Sequence, residues 1–318
     1  MTTLATNGYA TSVWPFVSAA LLVLASGLGT WLLSIWWTGR LIHRPPRLTP
    51  VRAAYRLGRS SPTDLDLAYE ELSFDVADVP GSTRTIRLLG WWIPAKVPST
   101  KSVVLLHGYG DSRAGTLPWV VPWHDAGVNV LLVDLRAHGD SGGRRSFGGT
   151  VERADVVQLV GDLRLSRPDE TATLFLAGVS FGAMTAAGAA TRLEGLAGLV
   201  LDSPIDDWKS ATKRWGQLFS LPPAGRFAHR VRMWMADGND PDRLDTARDI
   251  ATANVPTLAI LPTSDVLLPA DPRADVATAA KATPHGDAWL PDVGHNESIV
   301  ALHDAYADRL NRWLQVVA

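Results

Sequence analysis

TLFLAGVSFGAMTAAGAA, residues 173–190, is the stretch on which the fold turns. Within it, Gly178-Val179-Ser180-Phe181-Gly182 has the form G-x-S-x-G. Alone the pattern is weak, since a glycine-rich chain shows it by chance in roughly one case in ten. Its context raises it. An apolar run, TLFLA, leads in, and an alanine-rich helix former leads out, which is the strand, tight turn and helix that a nucleophile elbow requires. Flanking glycines leave room for a strained turn that lifts a serine hydroxyl out of the carboxyl edge of a sheet. The competing reading is an ordinary turn in which Ser180 caps a helix.

Working outward, short apolar runs recur, each followed by a segment able to form a helix: SVVLLHG, VNVLLVDLR, LAGLVLDSP, TLAILPTSD and GDAWLPDVGH. Runs this apolar are expected of parallel strands covered on both faces, and their alternation with helices points to a doubly wound α/β sheet. Before them, YEELSFDVA and TRTIRLLGWWIPA alternate around DVPGS, which predicts an antiparallel pair. Residues from Pro204 to about Asn254 hold no clear strand and form an insertion carrying Trp208, Trp215, Phe219, Phe227, Met233, Trp234 and Met235. That insertion is either a lid over an apolar pocket or a helical cap burying its own apolar side.

TLAILPTSD ends at Asp265 and GDAWLPDVGH at His295, so both residues fall at the sheet edge that carries Ser180. A serine hydroxyl is a poor nucleophile until an imidazole takes its proton, and the imidazole needs a carboxylate to hold its tautomer. Asp202 also ends a strand and is the alternative acid. The loop His107-Gly108-Tyr109-Gly110 follows an earlier strand, which makes the backbone N–H groups of Tyr109 and Phe181 the candidate oxyanion donors. His107 is read as a brace for that loop. His138, Asp134 and Arg136 are read as turn scaffold, and Glu152 and Asp155 as acids suited to the start of a helix.

These motifs together resemble the α/β-hydrolase superfamily over the span from about Thr63 to the C-terminus. HGYGDS, DLRAHGDSGG, GVSFGA, LDSP, SDVLLP and VGHNE carry the resemblance, and within the superfamily they look most like the membrane-anchored, Bem46-like and serine-peptidase-like bacterial hydrolases. The resemblance implies an α/β-hydrolase fold with a small helical cap. It also implies a Ser180, Asp265, His295 triad acting on an ester or thioester through an acyl-enzyme. Pro262 departs from the glycine usual before the acid, and DVPGST replaces the more familiar Asp-Gly hairpin tip.

Other chemistries find little support. The chain has no cysteine, which removes disulfides, thiolate metal sites and cysteine nucleophiles. No cofactor and no metal are expected, because no glycine-rich loop has a dinucleotide or P-loop form and no His/Asp/Glu cluster has ligand spacing. A net charge of −2 gives no reason to expect nucleic acid as a partner.

From Thr2 to Gly39 there is no Lys, Arg, Asp or Glu. Residues 16–37 are a nearly unbroken apolar run of about the 20 residues that cross a bilayer, with Tyr9 and Trp14 at one end and Trp31, Trp36 and Trp37 at the other. A cleaved signal would begin with basic residues and carry a shorter apolar core, and a buried core helix would show a polar stripe. Six arginines, from Arg40 to Arg59, then precede the first acid, Asp64. The expected organisation is a transmembrane anchor at 1–39, a basic juxtamembrane linker at 40–62 and a hydrolase domain at 63–318. The arginine asymmetry places that domain on the cytoplasmic side of the cell membrane. The expected substrate is a small-molecule or lipid-like acyl compound.

Overall fold

The computed structural model describes residues 13–218 and 245–318. Eight strands form one sheet in the order β1-β2-β4-β3-β5-β6-β7-β8. They are β1 (Glu70–Ala77), β2 (Thr85–Ile93), β3 (Lys101–Leu106), β4 (Asn129–Val133), β5 (Thr173–Val179), β6 (Leu196–Asp202), β7 (Thr257–Ile260) and β8 (Asp287–Trp289). β1 and β2 pair antiparallel across the predicted hairpin, with Glu70 opposite Trp92 and Ala77 opposite Thr85. β2 also runs antiparallel to β4, and every later pairing is parallel.

The apolar runs are continuous because both faces of the sheet are covered. In β3, Val104 and Leu106 enter one core, while Val103 and Leu105 enter the other. The first core is closed by α4 (Thr150–Ser166), α5 (Phe181–Ala190) and the helices Thr246–Ala253 and Ala270–Ala282. The second is closed by α3 (Leu117–Asp125) and the final helix His303–Val317, where Trp123, Phe175 and Trp313 stack in sequence. This period-two division inside an all-apolar strand is what distinguishes a central parallel strand from a half-exposed one.

Register fixes where the chemistry-bearing loops emerge. Val179 pairs with Asp202, Asp202 with Ile260, and Ile260 with Trp289, so β5 to β8 end level with one another. Ser180, Asp202, Asp265 and His295 therefore all leave the same carboxyl edge.

α1 (Trp14–His43) is a 30-residue helix, about 45 Å long at the usual rise. Its Trp14–Leu33 window has mean hydropathy 2.0 and none of it is buried. That rules out the core-helix reading and leaves, among the described residues, one helix long and apolar enough to cross a membrane. α1 ends just before Pro45-Pro46, as those prolines require. α2 (Pro50–Leu57) follows.

The segment between α1 and α2 is tied to the domain. His43 and Ser146 exchange two hydrogen bonds, with Ser146 N–H donating to the His43 carbonyl at 2.8 Å. Arg47 donates to the carbonyls of Gly139, Ser141 and Gly143 at 3.1, 2.6 and 2.7 Å. Pro46 packs over Gly110, where an added Cβ would lie 3.3 Å from the proline ring.

Between β6 and β7, the described residues form α6 (Trp208–Leu218) and the helix Thr246–Ala253. Trp208 is fully buried and stands 5.5 Å, ring to ring, from Trp215. Phe219, Phe227, Met233, Trp234 and Met235, and Tyr9 at the other end, lie outside the described residues.

Candidate active site

Ser180 sits between β5 and α5 with φ 55° and ψ −115°, a conformation that L-residues avoid. Backbone crowding explains both neighbouring glycines. A Cβ at Gly178 would collide with the Gly182 carbonyl, and one at Gly182 would collide with the carbonyls of Leu106 and His107. The turn is therefore pressed against the end of β3 from one side and closed on itself from the other. Ser180 makes no side-chain cap to α5, so the capping alternative does not describe it.

The serine hydroxyl lies 2.8 Å from His295 Nε2. On the other side of the ring, His295 Nδ1 lies 2.7 Å from Asp265 Oδ2. Asp265 Oδ1 accepts the backbone N–H groups of Leu267 and Leu268 at 2.7 and 3.3 Å, which fixes the carboxylate plane. The Asp265 side chain is completely buried and His295 is 17% exposed, so the imidazole is the most exposed of the three. Ser180, Asp265 and His295 thus form one hydrogen-bonded line from a strained serine to a buried carboxylate.

Pro262 leaves the Asp265 loop well anchored. Thr263 and Ser264 N–H bond the carbonyls of Pro291 and Val293 at 2.8 and 3.2 Å. Arg273 reaches the carbonyls of Pro262 and Thr263 at 3.1 and 2.8 Å. The acid and histidine loops are consequently stitched directly to each other.

Asp202 is not part of that line. Trp119 Nε1 donates to it at 2.7 Å and Ser203 Oγ at 2.9 Å. Burial pushes its carboxyl above the usual carboxylate range, while these donors and the nearby His295 act the other way. Ser203 Oγ in turn accepts the Asn296 N–H at 3.0 Å, immediately after the histidine. The bonds that Trp119, Ser203 and Asn296 make here were not legible in the sequence, because the partners are 83 and 93 residues apart.

The oxyanion candidates belong to two segments beside the serine, the loop after β3 and the start of α5. A Cβ added at Gly108 would rest 3.5 Å from the Ser180 Cβ, so the loop carrying Tyr109 abuts the serine. Phe181 opens α5, where a helix leaves its first N–H groups without an intrahelical partner. His107 braces this loop. Its Nε2 accepts the Leu135 N–H at 2.9 Å, which leaves the proton on Nδ1 to be donated to the Gly108 carbonyl at 2.7 Å. His138 is fully buried against it, ring centroids 4.9 Å apart, and burial holds its pKa well below the ordinary value.

Tyr109 also meets Phe181, Trp208 and Trp215 at 5.7, 5.2 and 5.2 Å, giving the serine an aromatic wall on the side of α6. Asp134 accepts the N–H groups of Arg113 and Asp140 at 2.7 and 2.9 Å. Glu152 does cap the start of α4, accepting from Phe147 and Gly149 N–H. Asp155 departs from its helix-start reading: it forms a buried two-point pair with Arg136 at 2.5 and 2.6 Å. Among the described residues no three His, Asp or Glu side chains are grouped to hold a metal.

Residues 98–249 match the family model described as Serine aminopeptidase, S33. An uncharacterised Mycobacterium tuberculosis protein is 27% identical over 308 residues, 95% of each chain. An uncharacterised Bacillus subtilis protein is 31% identical over 93 residues, 29% of this chain and 30% of its own. Among solved structures, a Pyrococcus furiosus esterase superposes with TM-score 0.70 at 23% identity, covering 87% of this chain and 99% of its own. The acylaminoacyl peptidase of Pyrococcus horikoshii gives TM-score 0.59 at 14% identity, over 78% of this chain and 41% of its own. The finer Bem46-like grouping rests on the sequence motifs alone.

Proposed function

Proceeding from the α/β-hydrolase fold that the chain has, we propose that it is a membrane-anchored serine hydrolase of carboxylic esters or thioesters. The observation that carries the reading is the line from Ser180 Oγ through His295 to Asp265, at 2.8 and 2.7 Å, on a backbone strained at the serine. In this reading Ser180 Oγ attacks the acyl carbon while His295 Nε2 takes its proton. The oxyanion forms against the N–H groups of Phe181 and Tyr109, each such donor lowering the barrier by about 3–4 kcal/mol. The protonated imidazole then gives its proton to the departing alkoxide or thiolate, leaving an acyl-serine. Water, deprotonated by the same nitrogen, attacks the ester, and the acid leaves as Ser180 regains its proton.

A fluorophosphonate probe tests this directly. Wild type is expected to label and Ser180→Ala to be blank. An unlabelled wild type, under conditions that label a control hydrolase, overturns the reading. The family description and the peptidase neighbour favour one second reading, in which the same residues cleave amide bonds. Matched ester and amide substrates separate the two by kcat/KM. A catalytically idle, membrane-tethered binding module is the alternative that labelling alone would eliminate.

The anchor reading draws on the exposed apolar helix α1 and the tryptophans at its end. In this reading the arginines after it favour a cytoplasmic hydrolase domain. A C-terminal reporter active only outside the cytoplasm should be silent. Robust activity would reverse the orientation.

A further inference from the structure

A cleft of about 1130 Å³ opens beside the foot of α1, lined by Arg44, Arg84, Arg136, Arg144 and Arg145 against a single carboxylate, Asp78. It lies on the carboxyl edge of the sheet, over the β1-β2-β4 flank and next to the strap that Arg47 holds. Five arginines line this cleft and only one acid does, in a chain of net charge −2.

The arginines are not equivalent. Arg136 is occupied by Asp155 and by the Asp78 and Ala77 carbonyls. Arg84 makes a loose pair with Asp78 at 3.4 Å while staying 82% exposed. Arg145 stacks on Phe147 at 4.4 Å. Arg44 and Arg144 are exposed and make no ion pair among the described residues. Planar forks of this kind bind phosphoryl oxygens two at a time, and no lysine lines the cleft.

Position identifies the source of the phosphate. Arg44 caps the helix whose exposed apolar surface ends in Trp36 and Trp37. Arg44 lies seven positions beyond Trp37, about 10 Å of helical rise, which is the headgroup layer just outside a hydrocarbon core of about 30 Å. A basic cleft at that height meets lipid phosphates before it meets anything dissolved. We propose that this cleft binds the phosphodiester of an anionic membrane phospholipid. The binding shares with the proposed function only the placement of α1 in a bilayer, and no catalytic step enters it.

The test uses the full chain in an uncharged detergent, titrated with short-chain phosphatidylglycerol, short-chain phosphatidylcholine and inorganic phosphate, with bound ligand counted by native mass spectrometry. Phosphatidylglycerol is expected to bind in preference to both others. Arg44→Gln/Arg144→Gln should weaken it about 30-fold. Arg192→Gln/Arg312→Gln, which removes the same charge elsewhere, should leave it unchanged. Equal binding of phosphatidylglycerol and phosphatidylcholine overturns the proposal, as does a double variant that binds like wild type. Inorganic phosphate binding as tightly as phosphatidylglycerol overturns the lipid source. An unchanged unfolding midpoint for the double variant keeps misfolding out of the comparison.

Discussion

Replacing Asp265 by Asn should remove the activity almost completely without changing the shape of the site. Asp265 Oδ1 accepts two backbone N–H groups, from Leu267 and Leu268, while Oδ2 faces His295 Nδ1. In Asp265→Asn the amide oxygen must take the place of Oδ1, because only an acceptor satisfies those two donors. The amide NH2 is thereby turned toward Nδ1, which must then accept. The imidazole proton moves to Nε2, the nitrogen facing Ser180 at 2.8 Å, and the base is lost. A wrong tautomer of this kind lowers kcat by about 10⁴, or about 5.5 kcal/mol of barrier. KM should change little, since the Asp265 side chain is completely buried behind the histidine. Steady-state hydrolysis of nitrophenyl esters, with single-turnover acylation measured alongside, reads both quantities. A loss smaller than tenfold refutes the reasoning. So does residual activity that vanishes when Asp202→Asn is added, because Asp202 would then be orienting the ring. Its bonds to Trp119 and Ser203 argue that it stays where it is.

Gly182→Ala should destabilise the domain by at least about 3 kcal/mol, because the new methyl meets the backbone carbonyls of Leu106 and His107, which cannot move aside; denaturant midpoints check this. Arg47→Ala forfeits bonds to three carbonyls and should lower stability by about 2 kcal/mol. It should also expose the bond after Arg52 to trypsin, seen as faster cleavage on a gel, and unchanged cleavage would show that the strap does not depend on Arg47. Burial depresses the His138 pKa in the folded state, so the unfolded chain binds the extra proton. Stability from this group is present above about pH 6.5 and is lost as pH falls further, by up to about 1.4 kcal/mol per pH unit. His138→Gln, whose amide can still donate to the Arg136 carbonyl, should flatten that fall in pH-dependent unfolding curves.

The strands, their order of appearance and the elbow were legible because each rests on a local rule. Continuous apolar runs mark doubly covered strands, and the two glycines around Ser180 answer to crowding within a few residues of themselves. Asp265 and His295 could be found because each closes an apolar run at the same edge. The supporting bonds left no such trace. Arg47 reaches carbonyls 92 to 96 residues away, and nothing in RPPR distinguishes it from the solvent-facing arginines around it. Asp155 satisfied a rule about helix starts, yet its true partner, Arg136, lies on another loop. Helix-dipole patterning is a weak preference, and a buried guanidinium overrides it.

The strap between α1 and the domain also sets a kinetic condition. Only two residues separate His43, at the end of the helix, from Pro46, packed on the loop that carries Tyr109. Were α1 to span a bilayer, as proposed, the serine would be held in a thin layer above the lipid surface instead of roaming on a flexible leash. Within about 8 Å of a negatively charged leaflet, anionic solutes are depleted and neutral ones are not. A water-soluble acyl donor bearing phosphates would therefore reach this serine at less than its bulk concentration, by a factor that salt reduces. Its apparent KM in vesicles would fall as ionic strength rises, whereas that of a neutral ester, or of a lipid already in the leaflet, would stay level.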